Sequence, residues 1–188
     1  MNHASPLVPD QFKSALYDKD AFIASLEAGE PAIPLYKNII KVGRETLNQW
    51  FKEEVSIDQL VYSHTWLIDQ VLITAWEQLP WKDSTAISLL SVGGYGRGEL
   101  HPGSDIDILI LLESDSYQDH QTEIEAFLTT LWDIGLKVGS SVRSIQECAD
   151  QASNDLTIIT NLMEARALSD PENLNKALQK KIDVSQMW

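Results

Sequence analysis

Two aspartates in the middle of the chain have the spacing of a metal site. Asp105 and Asp107 alternate with Ile106 and Ile108 in a segment that is otherwise apolar. Side chains two residues apart on a β-strand point to the same face, so both carboxylates should project together. Each carboxylate makes the other harder to ionise, and a divalent cation removes that penalty. Magnesium commonly joins one or two carboxylates to substrate phosphates, and two such ions can clamp the attacking and leaving oxygens of a displacement.

A glycine-rich loop precedes the two aspartates and offers groups that bind phosphate. Gly93 and Gly94 follow an apolar segment predicted to be a strand, about ten residues before Asp105. Glycine lets the backbone approach a phosphate closely and adopt positive φ. We expect the amide hydrogens of this turn, with Arg97 and Ser104, to hold a triphosphate. A strand, a Gly-Gly pair and Asp-x-Asp on a second strand therefore predict a phosphoryl-transfer site.

The same loop excludes two other glycine motifs. Gly93 and Gly98 have the spacing of a P-loop, but Glu99 stands where that motif needs the lysine that reaches the phosphates. Gly94 and Gly96 begin a dinucleotide-binding pattern, and Glu99 again replaces its last glycine. The loop is therefore neither a P-loop nor a dinucleotide-binding turn.

The pattern of apolar residues divides the chain into a helical region and an α/β body. Apolar residues recur at helical spacing before Pro80, whereas short apolar runs alternate with helical patterns after it. Predicted helices cover residues 10–28, 36–54, 56–79, 119–134, 155–168 and a segment from Pro171, and predicted strands cover residues 86–92, 105–112 and 136–142. The predicted organisation is an N-terminal helical region over residues 1–80 and an α/β core over residues 81–188.

The composition favours a small-molecule or protein substrate over a nucleic acid. The 188 residues include 14 basic and 28 acidic residues, which gives a formal net charge of −14. Binding of nucleic acids depends on Lys and Arg that neutralise phosphates, so we expect no nucleic-acid partner. Cys148 is the single cysteine, so nothing requires an oxidising compartment. We see no signal peptide and no apolar run near the roughly 20 residues of a membrane span, and we expect a cytoplasmic protein without a membrane partner.

Three blocks of sequence carry a resemblance to a known family. The Gly-Gly and Asp-x-Asp pair resembles the signature of the nucleotidyltransferase superfamily related to DNA polymerase beta. The longer blocks are residues 91–111 (SVGGYGRGELHPGSDIDILIL), 131–144 (LWDIGLKVGSSVRS) and 155–166 (DLTIITNLMEAR). They resemble the N-terminal domain of the bacterial bifunctional uridylyltransferase/uridylyl-removing enzymes, which regulate the nitrogen-signalling protein PII. The resemblance covers roughly residues 60–170.

The resemblance implies a fold and an activity. The fold would be the α+β (α/β-type) polymerase-beta-like one, with a small mixed sheet flanked by helices and preceded by the helical region. The activity would be magnesium-dependent transfer of UMP from UTP to a tyrosine of PII, with pyrophosphate leaving. Asp105 and Asp107 would bind the metal, and Gly93, Gly94, Arg97 and Ser104 would surround the triphosphate. The family's catalytic domain extends past residue 188, so the core is expected to be C-terminally truncated relative to the family and the fragment may be inactive alone.

The resemblance also raises the question of a third carboxylate, which the superfamily often uses to deprotonate the attacking hydroxyl. Asp133 matches the pattern of an acid between apolar residues and is the preferred candidate, although its segment also fits the last turn of a helix. Asp155 is the second candidate, and it also fits the N-cap of a helix. A third possibility is that Asp105 and Asp107 suffice together with a substrate-bound ion.

The alternatives concern the acceptor and the role of two charged residues. Transfer to a small molecule would suit the acidic composition, and a non-catalytic nucleotide-binding regulatory module is a further alternative. Arg143 follows a predicted strand, where phosphate contact and a surface salt bridge are equally consistent with the sequence. Glu99 is expected to anchor the glycine loop by pairing with Arg97.

Overall fold

The computed structural model describes residues 8–182, and residues 1–7 and 183–188 of the two predicted regions lie outside that range. The helices are α1 (Asp10–Leu16), α2 (Lys19–Glu27), α3 (Ala32–Lys52), α4 (Ile57–Glu77), α5 (Gly93–Gly96), α6 (Tyr117–Asp133), α7 (Ile145–Ala152), α8 (Leu156–Met163) and α9 (Leu174–Lys181). The strands are β1 (Ile87–Ser91), β2 (Ile106–Leu112), β3 (Val138–Ser144) and β4 (Arg166–Ser169). None of the helices in the described range combines the length and the apolarity that crossing a membrane requires.

The strands of the described range form one mixed sheet in the order β3-β2-β1-β4. β1 is antiparallel to β2 and to β4, whereas β2 and β3 run parallel. A parallel pair needs a crossover connection, and α6 supplies it between β2 and β3. The small mixed sheet flanked by helices confirms the fold class that the sequence predicted.

Helices cover both faces of the sheet because β2 is apolar on both of its faces. Ile106, Ile108 and Ile110 pack into a core that includes α1 to α4 and α6. Leu109 and Leu111 point the other way and pack against residues of α7, α8 and α9. Residues that alternate along a strand face opposite sides, so the sheet is the middle of three layers. Asp107 shares the face of Leu109 and Leu111, but it is exposed while its neighbours on the strand are buried.

Two of the predicted helices were wrong in extent. The helix predicted over residues 10–28 is broken, because Tyr17 is extended and the Asp18 side chain accepts a hydrogen bond from the Ala21 amide to begin α2. The helix predicted over residues 155–168 ends at Met163, and Arg166–Ser169 pairs with β1 as an edge strand of the sheet. Pairing of backbone groups with β1 outweighs the local helical pattern there.

The structure also contains a helix that the sequence prediction missed. α7 begins immediately after β3, and Ser144 and Glu147 form a reciprocal capping box at its start. The Ser-x-x-Glu signal is visible in the sequence, but Ser144 is also the last residue of a strand. This abrupt change from strand to helix places α7 and α8 across the face of the sheet that carries Asp107.

Candidate functional site

The site lies at the start of β2, where α7 and α8 leave the Asp107 face of the sheet uncovered. Asp107 lies opposite Gly139 on β3. A Cβ atom at position 139 would stand 2.5 Å from Asp107 Oδ1, closer than real Cβ contacts allow. The absence of a side chain at Gly139 therefore makes room for the carboxylate.

The glycine turn approaches the same carboxylate from the end of β1. Gly93 has a φ of +59°, a left-handed conformation that favours glycine. A Cβ at this position would lie 3.8 Å from Asp107 Oδ2 and 3.9 Å from Asn161 Oδ1. The Val92 amide donates a hydrogen bond to the Asp107 carbonyl at 3.0 Å, which joins the turn to β2. Gly93, Asp107 and Asn161 therefore converge on one point.

A cavity of about 410 Å³ opens at this point. Its apolar part includes Val92 from the end of β1 and Ile158 and Leu162 from α8. The polar side chains and the glycines of its lining come from the glycine turn, β2, β3 and α8: Gly93, Asp107, Gly139, Ser140, Ser141, Arg143 and Asn161. An apolar wall with a few converging polar groups is the usual composition of a small-molecule site.

The charges of the site suit a divalent cation. Neither Asp105 nor Asp107 makes an ion pair or a side-chain hydrogen bond with the described residues. Desolvation by the cavity wall, and then the charge of Asp105, raise the pKa of Asp107. The two carboxylates offer only oxygen ligands, and a bound cation would offset the repulsion between them. Both properties fit magnesium. Residues 8–182 contain no cluster of three or more His, Cys, Asp or Glu, so phosphates and water would complete the metal's coordination.

Arg97 stabilises the glycine turn and does not line the cavity. Its Nε donates to Glu99 at 3.0 Å and its Nη1 donates to Glu164 at 2.7 Å. The Arg97–Glu99 pair is the one expected from the sequence. A Cβ on Gly94 would lie 3.6 Å from the guanidinium, so Arg97 stays beside the turn, and its contact with a triphosphate remains a prediction.

Arg166 holds the glycine turn from the interior of the protein. Its Nη1 and Nη2 donate to the two carboxylate oxygens of Asp69 at 2.7 and 2.9 Å, and both side chains are 3% exposed. Nη2 also donates to the Tyr95 carbonyl at 3.4 Å, and the guanidinium lies 5.6 Å from the centre of the Tyr95 ring. The pair therefore connects α4, α5 and β4 behind the turn.

The remaining predicted residues lie apart from the cavity. Ser104 is exposed and lines a different cavity, which borders α3 and α4. Asp133 is the exposed last residue of α6 and is not among the residues that line the Asp107 cavity. Asp155 is the N-cap of α8, where its carboxylate accepts from the Thr157 amide at 2.7 Å. The structure thus brings together Gly93 and Asp107. Asp105 is exposed immediately before β2 and, like Ser104 and Asp133, is not among the residues that line their cavity.

Two further residues line the cavity. The sequence left the role of Arg143 open between two interpretations and gave no prediction for Asn161. Arg143 lines the cavity from β3 and makes no ion pair with the described residues, which favours the phosphate interpretation over a surface salt bridge. Asn161 was missed. The available signal was a single amide in the stretch LTIITNLM, one residue before the buried Leu162.

Comparison with known proteins gives a consistent result. The family model described as "Nucleotidyltransferase domain" matches residues 72–186. A bifunctional uridylyltransferase/uridylyl-removing enzyme of Ectopseudomonas mendocina (strain ymp) is 48% identical over 178 residues, which are 95% of this chain and 20% of that protein. The enzyme of the same name from Azotobacter vinelandii is 46% identical over 173 residues, or 92% of this chain and 19% of that protein.

This chain therefore spans about a fifth of the length of the curated relatives that it matches. The resemblance seen in the three sequence blocks is confirmed, because the alignments with these relatives extend over nearly the whole chain. The family match covers the glycine turn, both aspartates and every strand of the sheet. The chain belongs to the nucleotidyltransferase domain family.

Proposed function

We propose that this domain transfers UMP from UTP to a tyrosine hydroxyl of the PII protein and releases pyrophosphate in a magnesium-dependent reaction. The observation that carries the proposal is the unneutralised carboxylate of Asp107 next to the Gly93 turn at an open cavity, with the charge of Asp105 acting on it. The names of the relatives supply the uridylyl group, and the acceptor is the one that the family resemblance of the three sequence blocks implies.

In this proposal Asp105 and Asp107 bind the metal. When bound, magnesium supplies positive charge that neutralises the phosphates and orients them for displacement. Gly93 and Gly94 offer the amide hydrogens at the start of a helical turn, which have no partners within the turn itself. Arg143 and Asn161 also line the cavity, where they would supply a cation and an amide.

The transfer forms one bond and breaks one bond. The tyrosine oxygen attacks the α-phosphorus of UTP, and the bond from that phosphorus to the oxygen bridging to the β-phosphate breaks. The electron pair leaves with pyrophosphate, and the phenolic proton passes from the tyrosine to water. Asp133 remains the predicted third carboxylate, but it ends α6 and does not line the cavity. We therefore assign metal binding to Asp107, which lines the cavity, and to Asp105, whose charge acts on Asp107.

A label-transfer assay tests both the reaction and the acceptor. The chain would be incubated with magnesium, UTP labelled at the α-phosphate and PII, and then with PII in which the acceptor tyrosine is replaced by phenylalanine. The proposal expects label on PII, release of pyrophosphate, and neither product with the phenylalanine variant.

Other outcomes of this assay identify the alternatives. Label on an aminoglycoside but not on PII would indicate transfer to a small molecule. Binding of UTP with no pyrophosphate released in the presence of any acceptor would indicate a regulatory nucleotide-binding module. Either result would overturn the proposed acceptor.

A further inference from the structure

A second cavity, of about 460 Å³, lies between the N-terminal helices and the loop that leads into β2. Ile106 forms part of its wall and points to the opposite face of β2 from Asp107. The two cavities have no lining residue in common. The second cavity is therefore separate from the cavity of Asp107, and Ser104 is the one predicted nucleotide-binding residue that lines it.

The charge of this second cavity is opposite to that of the whole chain. Arg44 from α3 and Lys137 from the segment before β3 line it, and its lining contains no Asp or Glu. Neither cation makes an ion pair with the described residues. In a chain with 28 acidic and 14 basic residues, two cations that share a cavity without a carboxylate create a local site for an anion.

His64 supplies a fixed polar group on the inner wall of the same cavity. Its Nδ1 donates a hydrogen bond to the Leu100 carbonyl at 2.9 Å, and the side chain is buried. Burial, and to a smaller extent the charge of Arg44, lower the pKa of His64. The imidazole is therefore neutral at neutral pH, and Nε2 is an acceptor because Nδ1 carries the proton.

Most of the remaining side chains of the lining are apolar, and they come from α3, α4, β2 and two loops. The apolar side chains are Leu47, Ile68, Leu100, Ile106 and Leu136. A cavity with an apolar wall and two cations suits a molecule that has an anionic group and a hydrophobic body. A free inorganic ion has no hydrophobic body, so it would not contact the apolar wall of the cavity.

We propose that this cavity is a binding site for a small organic anion, with a carboxylate or phosphate group near Arg44 and Lys137 and an apolar body against Leu47, Ile68 and Leu136. The site also borders residues 102–104, which lead directly to Asp105. An occupant would contact this segment from the side away from Asp107, and it would thereby influence the position of a predicted metal ligand.

Binding can be measured by NMR on the whole 188-residue chain with benzoate and phenyl phosphate as the probes. Benzyl alcohol is the neutral control with the same aromatic body. We expect saturable chemical-shift changes at the His64 ring and the amides of Gly103 and Ser104 with at least one of the anions, and none with benzyl alcohol. The tighter of the two anions identifies the carboxylate or the phosphate as the preferred group.

Variants locate the site and provide its controls. Arg44→Gln and Lys137→Gln should each weaken binding of the anion by about fivefold, the usual effect of losing one solvent-accessible ionic contact. Lys41→Gln removes an exposed charge from the same helix without touching the cavity and should leave binding unchanged. This comparison does not depend on UTP, so its failure is distinguishable from failure of the transferase proposal.

Four results would overturn the proposal. The first is the absence of saturable shifts up to about 10 mM of either anion, a concentration at which a millimolar site is mostly occupied. The second is an equal response to benzyl alcohol. The third is an equal loss of binding in Lys41→Gln, and the fourth is a response confined to Gly93, Ser140 and Asn161, which would place the anions in the transferase cavity.

Discussion

Asp69 and Asp107 both lie next to the glycine turn, but they differ in burial and in the charged groups around them. Asp69 is 2% exposed and binds Arg166 through both of its oxygens. Asp107 is exposed, its pKa is raised by partial burial and then by the charge of Asp105, and it has no cationic partner in the described range. The buried carboxylate is already neutralised and serves the fold, whereas the exposed one is left available for a metal.

The glycine turn is held in place on its interior side and is open on the side of the cavity. Arg166 contacts the Tyr95 carbonyl and the Tyr95 ring from the interior, and Gly96 packs so closely that a Cβ there would collide with the Glu164 carbonyl. Gly93, at the start of the same turn, has only the side chains of Asp107 and Asn161 within 4 Å of its Cβ position. A preorganised backbone next to an open cavity is what a phosphate-binding turn requires.

Replacement of Asp107 by asparagine should lower activity, whereas the same change at Asp69 should lower stability. The loss of activity in Asp107→Asn is the largest effect that we expect. Asp107→Asn should lower the rate of UMP transfer by about 10³-fold, since it removes a metal ligand. The raised pKa of Asp107 means that the folded state disfavours its charge, so the free energy of unfolding should not fall. Transfer assays and urea unfolding of the same variant check both statements. Near-normal turnover would show that Asp107 is not a metal ligand.

Asp69→Asn should act on stability. The change leaves Arg166 as a buried charge with only part of its hydrogen bonding, and breaking such a pair typically destabilises a protein by about 3–5 kcal/mol. The free energy of unfolding in urea measures the loss. Asp10→Asn, which breaks the exposed ion pair with Lys13, is the matched control and should cause no measurable change. A similarly small effect of Asp69→Asn would show that the buried pair does not support the turn.

Gly139→Ala should lower transfer without removing any functional group. The added Cβ would collide with Asp107 Oδ1 and displace the carboxylate, and a displacement of about 1 Å can reduce a rate by about 10²-fold. Steady-state transfer kinetics would show the loss. Gly29→Ala is the control, because nothing lies within 4 Å of its Cβ position and the strain of its left-handed φ of +88° falls on the turn between α2 and α3, which lines neither cavity. If Gly139→Ala transferred UMP as fast as the native chain, the close contact would have no role in placing Asp107.

The smallest effect concerns α7, which covers the sheet beside the site. Ser144→Ala removes the side-chain half of the capping box and should lower the free energy of unfolding by about 1 kcal/mol. Urea unfolding measures this change, and UTP affinity should stay unchanged because Ser144 does not line the transferase cavity. A loss of UTP affinity in Ser144→Ala would show that α7 positions Arg143 or Asn161.

The sequence predicted the parts of this structure that depend on local pattern. The alternation of Asp105 and Asp107 with isoleucine gave the strand and its exposed carboxylate face, and the Gly-Gly pair gave the turn. Both features are encoded within a few residues, so their geometry follows from the period of a strand and the conformational freedom of glycine.

The features that were missed depend on contacts between distant parts of the chain. Asp69 and Arg166 are 97 residues apart, and neither position shows that the other is its partner. Arg166–Ser169 becomes a strand because β1 offers an edge, although the local pattern favours a helix. Asn161 enters the site because α8 packs across the face of the sheet, so that an isolated amide on a short helix lies beside Gly93.

Calorimetric titration of UTP into this chain tests the central claim most directly. It would be done in magnesium, in EDTA and with the Asp105→Asn variant, each shown to be folded by circular dichroism. The account predicts saturable binding in magnesium that is lost both in EDTA and in the variant. Equal binding of UTP under all three conditions, or no binding by the folded native chain in magnesium, would contradict the assignment of Asp105 and Asp107 to a metal-nucleotide site.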